Sequence, residues 1–301
     1  MTFIPLWVLA TVSASAAQTA RNVMQRHLTA SLGTLGATLV RFLYGLPFAI
    51  AFLIIVVNVT GEAVPSPSLF YVGQVALASA CQIAGTALML ASMRITTFSI
   101  TVAYMKTEPI QVAVFGFLIL GDRLSTLGVV GIVVATVGVI VMSQVRGASL
   151  ARSGALRPAL FGLASAAAFA CASVGFRGAI LSLGDASNFV RATTTLVWAQ
   201  AIQSAMLIGW LAVTNRGVIV ATIAAWRQSL FAGAMGALAT QFWFLGFSLT
   251  STANVRTLGL VEVLFAHVVS RRLAEATTPR QIFGMILVVA GVAVLIAASS
   301  G

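Results

Sequence analysis

The sequence predicts an all-α membrane protein of ten transmembrane helices, arranged as two inverted five-helix repeats. Three observations predict it. Hydrophobic residues fill 59% of the 301 positions and charged residues 8%, with a mean hydropathy of +1.04. An ordinary soluble domain is nearer half apolar and a quarter charged, so this chain lacks the polar residues to cover itself in water. Its apolar residues come in runs near the ~20 that a bilayer core requires of a helix. Finally, the second half of the chain repeats features of the first in the same order.

Cutting at charged and Gly/Pro/Ser-rich interruptions places the spans at about 4–25, 35–57, 69–91, 96–119, 126–144, 158–180, 187–212, 229–250, 253–270 and 281–299. The interruptions, such as NVTGEAVPSPS (58–68), GDRLS (121–125), QVRGASLARSGALR (144–157) and RRLAEATTPR (271–280), are too short for an extramembrane domain. Residues 1–17 have an apolar core ending in small residues, as a signal peptide does. No lysine or arginine precedes that core, so the segment is expected to be the first span.

The net charge of +11 does not point to nucleic acid. The arginines stand singly between apolar runs, a pattern that suits loops facing anionic lipid headgroups. Cys81 and Cys171 lie alone in apolar segments and read as small hydrophobes. His267 follows Glu262 by five residues, off the same helix face, and no HExxH or DxD pattern occurs. No metal and no cofactor are expected.

Residues 95–109, ITTFSITVAYMKTEP, align without gaps on 249–263, LTSTANVRTLGLVEV, which places Glu108 on Glu262. One residue of slippage then puts Asp122 on Glu275, Gly131 on Gly284 and Gly138 on Gly291. Earlier, Arg26 and Arg41 match Arg177 and Arg191, with Leu32-Gly33 on Leu183-Gly184 between them. The repeats are expected at 1–148 and 149–301. Five spans is an odd number, so the second repeat must be inverted relative to the first, as in many secondary transporters.

These features together resemble the drug/metabolite transporter superfamily, in particular its EamA-type ten-helix members. The resemblance rests on Pro109, then LGDRLS with Asp122, then Gly131 and Gly138, echoed by RRLAEATT with Glu275, then Gly284 and Gly291. It also rests on Arg26 closing the first helix and Arg41 opening the second. Three features depart from it. Ala17-Gln18-Thr19-Ala20 stands where Trp-Gly is common, Val263 replaces a proline after the second glutamate, and the loop containing Glu62 carries no basic residue. The positive-inside rule places both termini outside the cytoplasm, whereas members usually keep them inside. The resemblance implies an exporter of amino acids, metabolites or drugs, driven by an ion gradient or by exchange.

Glu108 and Glu262 lie about ten residues into their spans and hence near the bilayer centre at ~1.5 Å per residue. A charge there is unfavourable by roughly 2.5–3.5 kcal/mol on insertion scales, which makes it a functional candidate by default. Lys106, the only lysine, stands two positions before Glu108. That is about 200° around a helix, so the two share no face. Pro109 removes one helical hydrogen bond and predicts a kink beside Glu108.

Arg256 is expected to pair with Glu108 or to bind substrate. Gln18 and Asn22 share a face of the first span, with Arg21 beside them, and form either a cavity lining or an interhelical contact. Gln82, Gln241 and Trp243 are weaker lining candidates, and Gln200 and Gln203 weaker still. The acids serve either in proton coupling or as a fixed buried ion pair. Asp122 and Glu275 are expected to cap a helix or bind an arginine.

The function expected is secondary active transport of a small metabolite such as an amino acid, by alternating access around a midplane site between the repeats. The partners are that small-molecule substrate, membrane lipids and, as an open option, protons. The expected location is the inner membrane of a bacterium. Two other classes fit the sequence less well. A membrane-embedded enzyme on a lipid-linked substrate would need a catalytic cluster that the sequence does not offer. A non-transporting scaffold would need a soluble domain or tail.

Overall fold

A computed structural model describes residues 4–95, 101, 104–143, 156–265 and 278–299. His267 and Glu275 lie outside the described residues, as do parts of the expected fourth and ninth spans. Every regular element among the described residues is helical. In chain order these are α1 (Leu6–Leu43), α2 (Leu46–Thr60), α3 (Leu69–Ile95), α4 (Glu108–Phe115), α5 (Thr126–Ser143), α6 (Leu156–Leu181), α7 (Asn188–Thr214), α8 (Arg216–Ala224), α9 (Trp226–Leu249), α10 (Thr252–Leu258) and α11 (Pro279–Ser299). A π turn, Gly116–Leu120, extends α4, and a 3-10 turn, Gly259–Val261, extends α10.

Among the described residues, six stretches are individually long and apolar enough to cross a membrane: Ser31–Thr60, Leu69–Ser92, Ala159–Leu181, Asn188–Thr214, Trp226–Leu249 and Pro279–Ser299. Glu108–Leu120 and Thr126–Val141 are apolar but shorter. Among the described residues, a turn at 106–107 and a 3-10 turn at 259–261 interrupt two of the expected spans, the rest of which lies partly outside the described residues.

The first span also departs from expectation, because α1 runs on through the expected 26–34 loop as far as Gly33. Its hydroxyls are satisfied within the helix: Thr11, Ser15 and Thr19 each donate to the carbonyl four residues earlier, at 2.7, 2.9 and 2.9 Å. Such back-bonding lets polar residues stay in an apolar setting. The break comes where φ is +67° at Gly33, in the left-handed region that glycine enters without steric cost. Gly184, its counterpart in the sequence repeat, has φ +74°, so both Leu-Gly pairs mark left-handed turns. Pro47 opens α2 after the Tyr44–Gly45 turn, in the first helical turn, where a missing N–H leaves no bond unmade.

The described chain divides into two compact units. The first comprises Met1–Ala80 and Gly175–Leu249, and the second Cys81–Val174 and Thr250–Gly301, so the divisions fall inside α3 and α6. Each unit thus draws on both halves of the sequence.

In the first unit α1 packs along α9, while α2 and α9 pack on α7. The closest approach is at Gly233 of α9, where a Cβ would lie 2.6 Å from the backbone of Tyr44. Tyr44 donates its hydroxyl to Thr222 O at 3.1 Å, tying the α1–α2 turn to α8. Leu28, Ala37, Val40 and Ala232 form a buried cluster beside it. Glu62, in the α2–α3 loop, accepts from Ser187 N at 2.8 Å, and Ser187 Oγ in turn caps α7 by accepting from Val190 N.

In the second unit α5 packs along α11. The glycines spaced by seven in each helix meet at this interface. A Cβ at Gly131 would come within 2.8 Å of Gly291 O, and one at Gly138 within 2.7 Å of Val288 N. Small residues allow two backbones to approach this closely, and in a membrane such packing stands in for the hydrophobic drive that water supplies elsewhere. Val112, Ile132, Ala170, Val174, Ala253 and Leu295 close the core of this unit. Cys81 and Cys171 are half-buried free thiols.

Candidate functional site

Tyr104 and Met105 are helical, Lys106 and Thr107 form a turn, and the helix restarts at Glu108. Thr107 N and Thr107 Oγ1 both bond Tyr104 O, at 3.2 and 2.7 Å, and Gln111 Nε2 returns to Thr107 Oγ1 at 3.1 Å. Pro109 thereby occupies the first turn of α4, where it is tolerated, and the break falls just ahead of it. Glu108 is the acidic residue of that first turn, where the partial positive charge of the helix N-terminus favours a carboxylate.

The partner of Glu108 comes from α10. Arg256 Nη2 lies 2.8 Å from Glu108 Oε1, and both side chains are 19% exposed. Arg256 is the basic residue of the last turn of α10, the end that favours a cation. Two helix ends of opposite polarity therefore meet, each carrying the complementary charge. Arg256 Nε also donates to Ser173 Oγ of α6 at 3.0 Å, and Ser173 Oγ donates to Phe169 O at 2.9 Å. The buried Glu108 Oε1 receives no well-aligned N–H despite its short distance to the guanidinium. The contact is thus an ion pair by charge and proximity, without a directed hydrogen bond.

The other candidates in this unit are placed as follows. Lys106 is half-buried in the turn itself, and no ion pair or hydrogen bond of Lys106 occurs among the described residues. Glu262 is half-buried in the short helical segment that follows the 3-10 turn Gly259–Val261. Both repeat-related glutamates therefore follow a helix irregularity immediately. Asp122 folds its carboxylate against Gly116 of the π turn, while Ser125 Oγ caps α5 by accepting from Gly128 N at 3.1 Å.

Gln18 and Asn22 belong to the first unit. Gln18 Oε1 accepts from Trp243 Nε1 of α9 at 3.0 Å. Asn22 Oδ1 accepts from Arg21, whose Nη2 lies at 2.7 Å and whose side chain is buried. Gly236 of α9 leaves room for the stems of both Arg21 and Arg41. Gln241 donates to Thr193 Oγ1 at 2.7 Å, and Arg177 donates to Phe247 O at 2.6 Å. Gln200 and Gln203 are buried on α7.

The Gln18–Trp243 bond should be worth about 0.6 kcal/mol, a typical interhelical value in membranes. Gln18→Met and Trp243→Phe are each expected to lower the melting temperature slightly, with the double variant little worse than either. Fully additive losses would show that the bond contributes nothing.

Sequence reasoning missed Ser173. It lies among alanines in ACASVG and carries no signal of its role; only its contact with Arg256 reveals it.

Residues 5–144 match the sequence model of the EamA-like transporter family. No curated protein matches the sequence. A crystal structure of another protein aligns over 96% of this chain and 96% of its own, with a TM-score of 0.69 at 15% identity. At that identity the likeness speaks for the fold alone. Over residues 5–144, the first part of the chain, the sequence is similar to the EamA-like transporter family.

Proposed function

We propose that this chain is a secondary active transporter that exports a small metabolite, such as an amino acid, across the inner membrane of a bacterium. The observation that carries this reading is the Glu108–Arg256 pair. It sets two opposite charges at adjoining helix ends in a chain with only 8% charged residues. Interrupted helices that bring charged groups and backbone ends together are the usual construction of transporter sites. In this reading the two repeats alternate around a midplane site. Glu108 and Arg256 are its centre, with Lys106 and Glu262 as further contacts, and Glu108 or Glu262 couples transport to protons.

Reconstitution into proteoliposomes tests it. A panel of radiolabelled amino acids, hydroxy acids and dicarboxylates, with amines and sugars as further cargo, is assayed for counterflow with and without a proton gradient. Accumulation of at least one solute above protein-free liposomes is expected, increased by the gradient. No counterflow by any member of the panel would sink the reading.

A further inference from the structure

We propose that the helix break at Met105–Thr107 is where cargo is selected: Lys106 holds a carboxylate, and the carbonyls of Met105 and Lys106 hold an ammonium group on the adjacent carbon. For its place in transport this rests on the transporter reading above. The binding itself does not need that reading.

Pro109 opens the backbone at this point. It has no N–H, so the helical bond it would give to Met105 O is missing. The next donor, Ile110 N, turns to Thr107 O at 3.1 Å, and Gln111 N bonds the same carbonyl at 3.3 Å. Met105 O and Lys106 O therefore accept no hydrogen bond among the described residues. Tyr104 O, by contrast, is filled by Thr107 N and Thr107 Oγ1. The break is also anchored. Gln111 bonds Thr107 Oγ1, and Tyr104 packs so closely on α6 that a Cβ at Gly162 would lie 2.6 Å from Tyr104 Cβ. Carbonyls left without donors in an apolar span are costly, and transporters place such carbonyls where they meet a ligand.

The same turn carries a cation. Lys106 is half-buried and makes no ion pair or hydrogen bond among the described residues. Glu108, two residues on, is taken by Arg256 at 2.8 Å. Lys106 stands about ten residues into its expected span, ~15 Å deep at 1.5 Å per residue, beyond the lipid headgroups. A charge at that depth calls for a counter-ion.

One small zwitterion meets both demands. Its carboxylate accepts from Lys106 Nζ, and its ammonium offers three donors to the two carbonyls. Being neutral overall, it binds without a proton and leaves the acids free for coupling. The second repeat lacks these features, since Leu260 and Val263 stand at the positions of Lys106 and Pro109. Selection therefore resides in the first repeat alone.

The test uses the purified full chain in detergent at neutral pH. Leucine, phenylalanine and glutamine are the probes, each beside the acid that lacks its amino group and the amine that lacks its carboxyl group. The wild type is expected to bind at least one of the three amino acids, and to bind each of its two analogues at least about tenfold more weakly. Lys106→Gln should weaken binding of that amino acid at least about tenfold and leave binding of its amine unchanged. Lys106→Arg, which keeps the charge, should retain the preference for the amino acid over the amine. A merely structural lysine would instead shift all three ligands alike. Wild-type protein that binds none of the amino acids, or binds either analogue as tightly as its parent, would overturn the proposal. These measurements stand even if a variant fails to fold. Failure here is separable from failure of the transporter reading. Counterflow of amines or sugars with no amino acid bound would sink this proposal alone. Selective binding of an amino acid without counterflow of any solute would sink the transporter reading alone.

Discussion

Gly291→Leu in α11 is expected to prevent the α5–α11 interface from forming. A Cβ at Gly291 would collide with Ala135 N and lie 2.7 Å from Gly131 O and 2.8 Å from Ala135 Cα. These are backbone atoms in a helix, so no side chain can swing aside to make room. Overpacking a well-filled core typically costs about 1–3 kcal/mol. Here the obstacle is backbone on both sides, which places the loss at or above the top of that range. Thermal melting in detergent and the monodisperse fraction in size-exclusion chromatography read the effect. Gly73→Ala in α3 and Gly209→Ala in α7 are the controls, because a Cβ there meets nothing within 4 Å. They should be neutral or gain about 0.5–1 kcal/mol from better helix propensity. A Gly291→Leu protein that melts with the wild type would show that α5 and α11 are not held by this contact.

Arg256→Gln carries the second largest effect, on stability and flux together. Removing one partner of a buried pair strands the other charge, at a cost of roughly 3–5 kcal/mol. Both side chains retain 19% exposure, so a value below that range, about 2–3 kcal/mol after screening, is expected. Flux should fall by about 100-fold, since 1.4 kcal/mol corresponds to a decade and the substituted residue is at the centre of the proposed transport site. The double variant Glu108→Gln with Arg256→Gln removes both charges and should recover most of the lost stability without recovering flux. Stability losses that simply add in the double variant would mean that the two residues are not energetically coupled.

Much of the membrane architecture is legible in the residues themselves. Apolar runs near bilayer length announce helices, and the left-handed glycines at Leu32-Gly33 and Leu183-Gly184 recur at matched positions of the repeat. The seven-residue glycine spacing in α5 and α11 likewise foretells a packing surface, since only close backbone approach explains it. Pro109 marks the neighbourhood of the break, although the turn itself falls at Lys106 and Thr107. The continuation of α1 through residues 26–32 was not legible, because its polar composition reads as loop until Ser31 is seen donating to Leu28 O of its own helix.

The candidate site divides in the same way. The sequence by itself determined that Glu108 stands in an apolar span beside a helix-breaker and that Arg256 was a possible partner. Only the tertiary structure decided that Arg256 is the cation beside Glu108, that Ser173 holds it, and that Gln18 answers Trp243. The physical reason lies in the solvent. In water, an amphipathic pattern tells which helix face turns inward. In lipid both faces are apolar, and α4, α6 and α10 carry little periodic signal of their neighbours. Which charges meet is then settled by the packing of helices far apart in the chain.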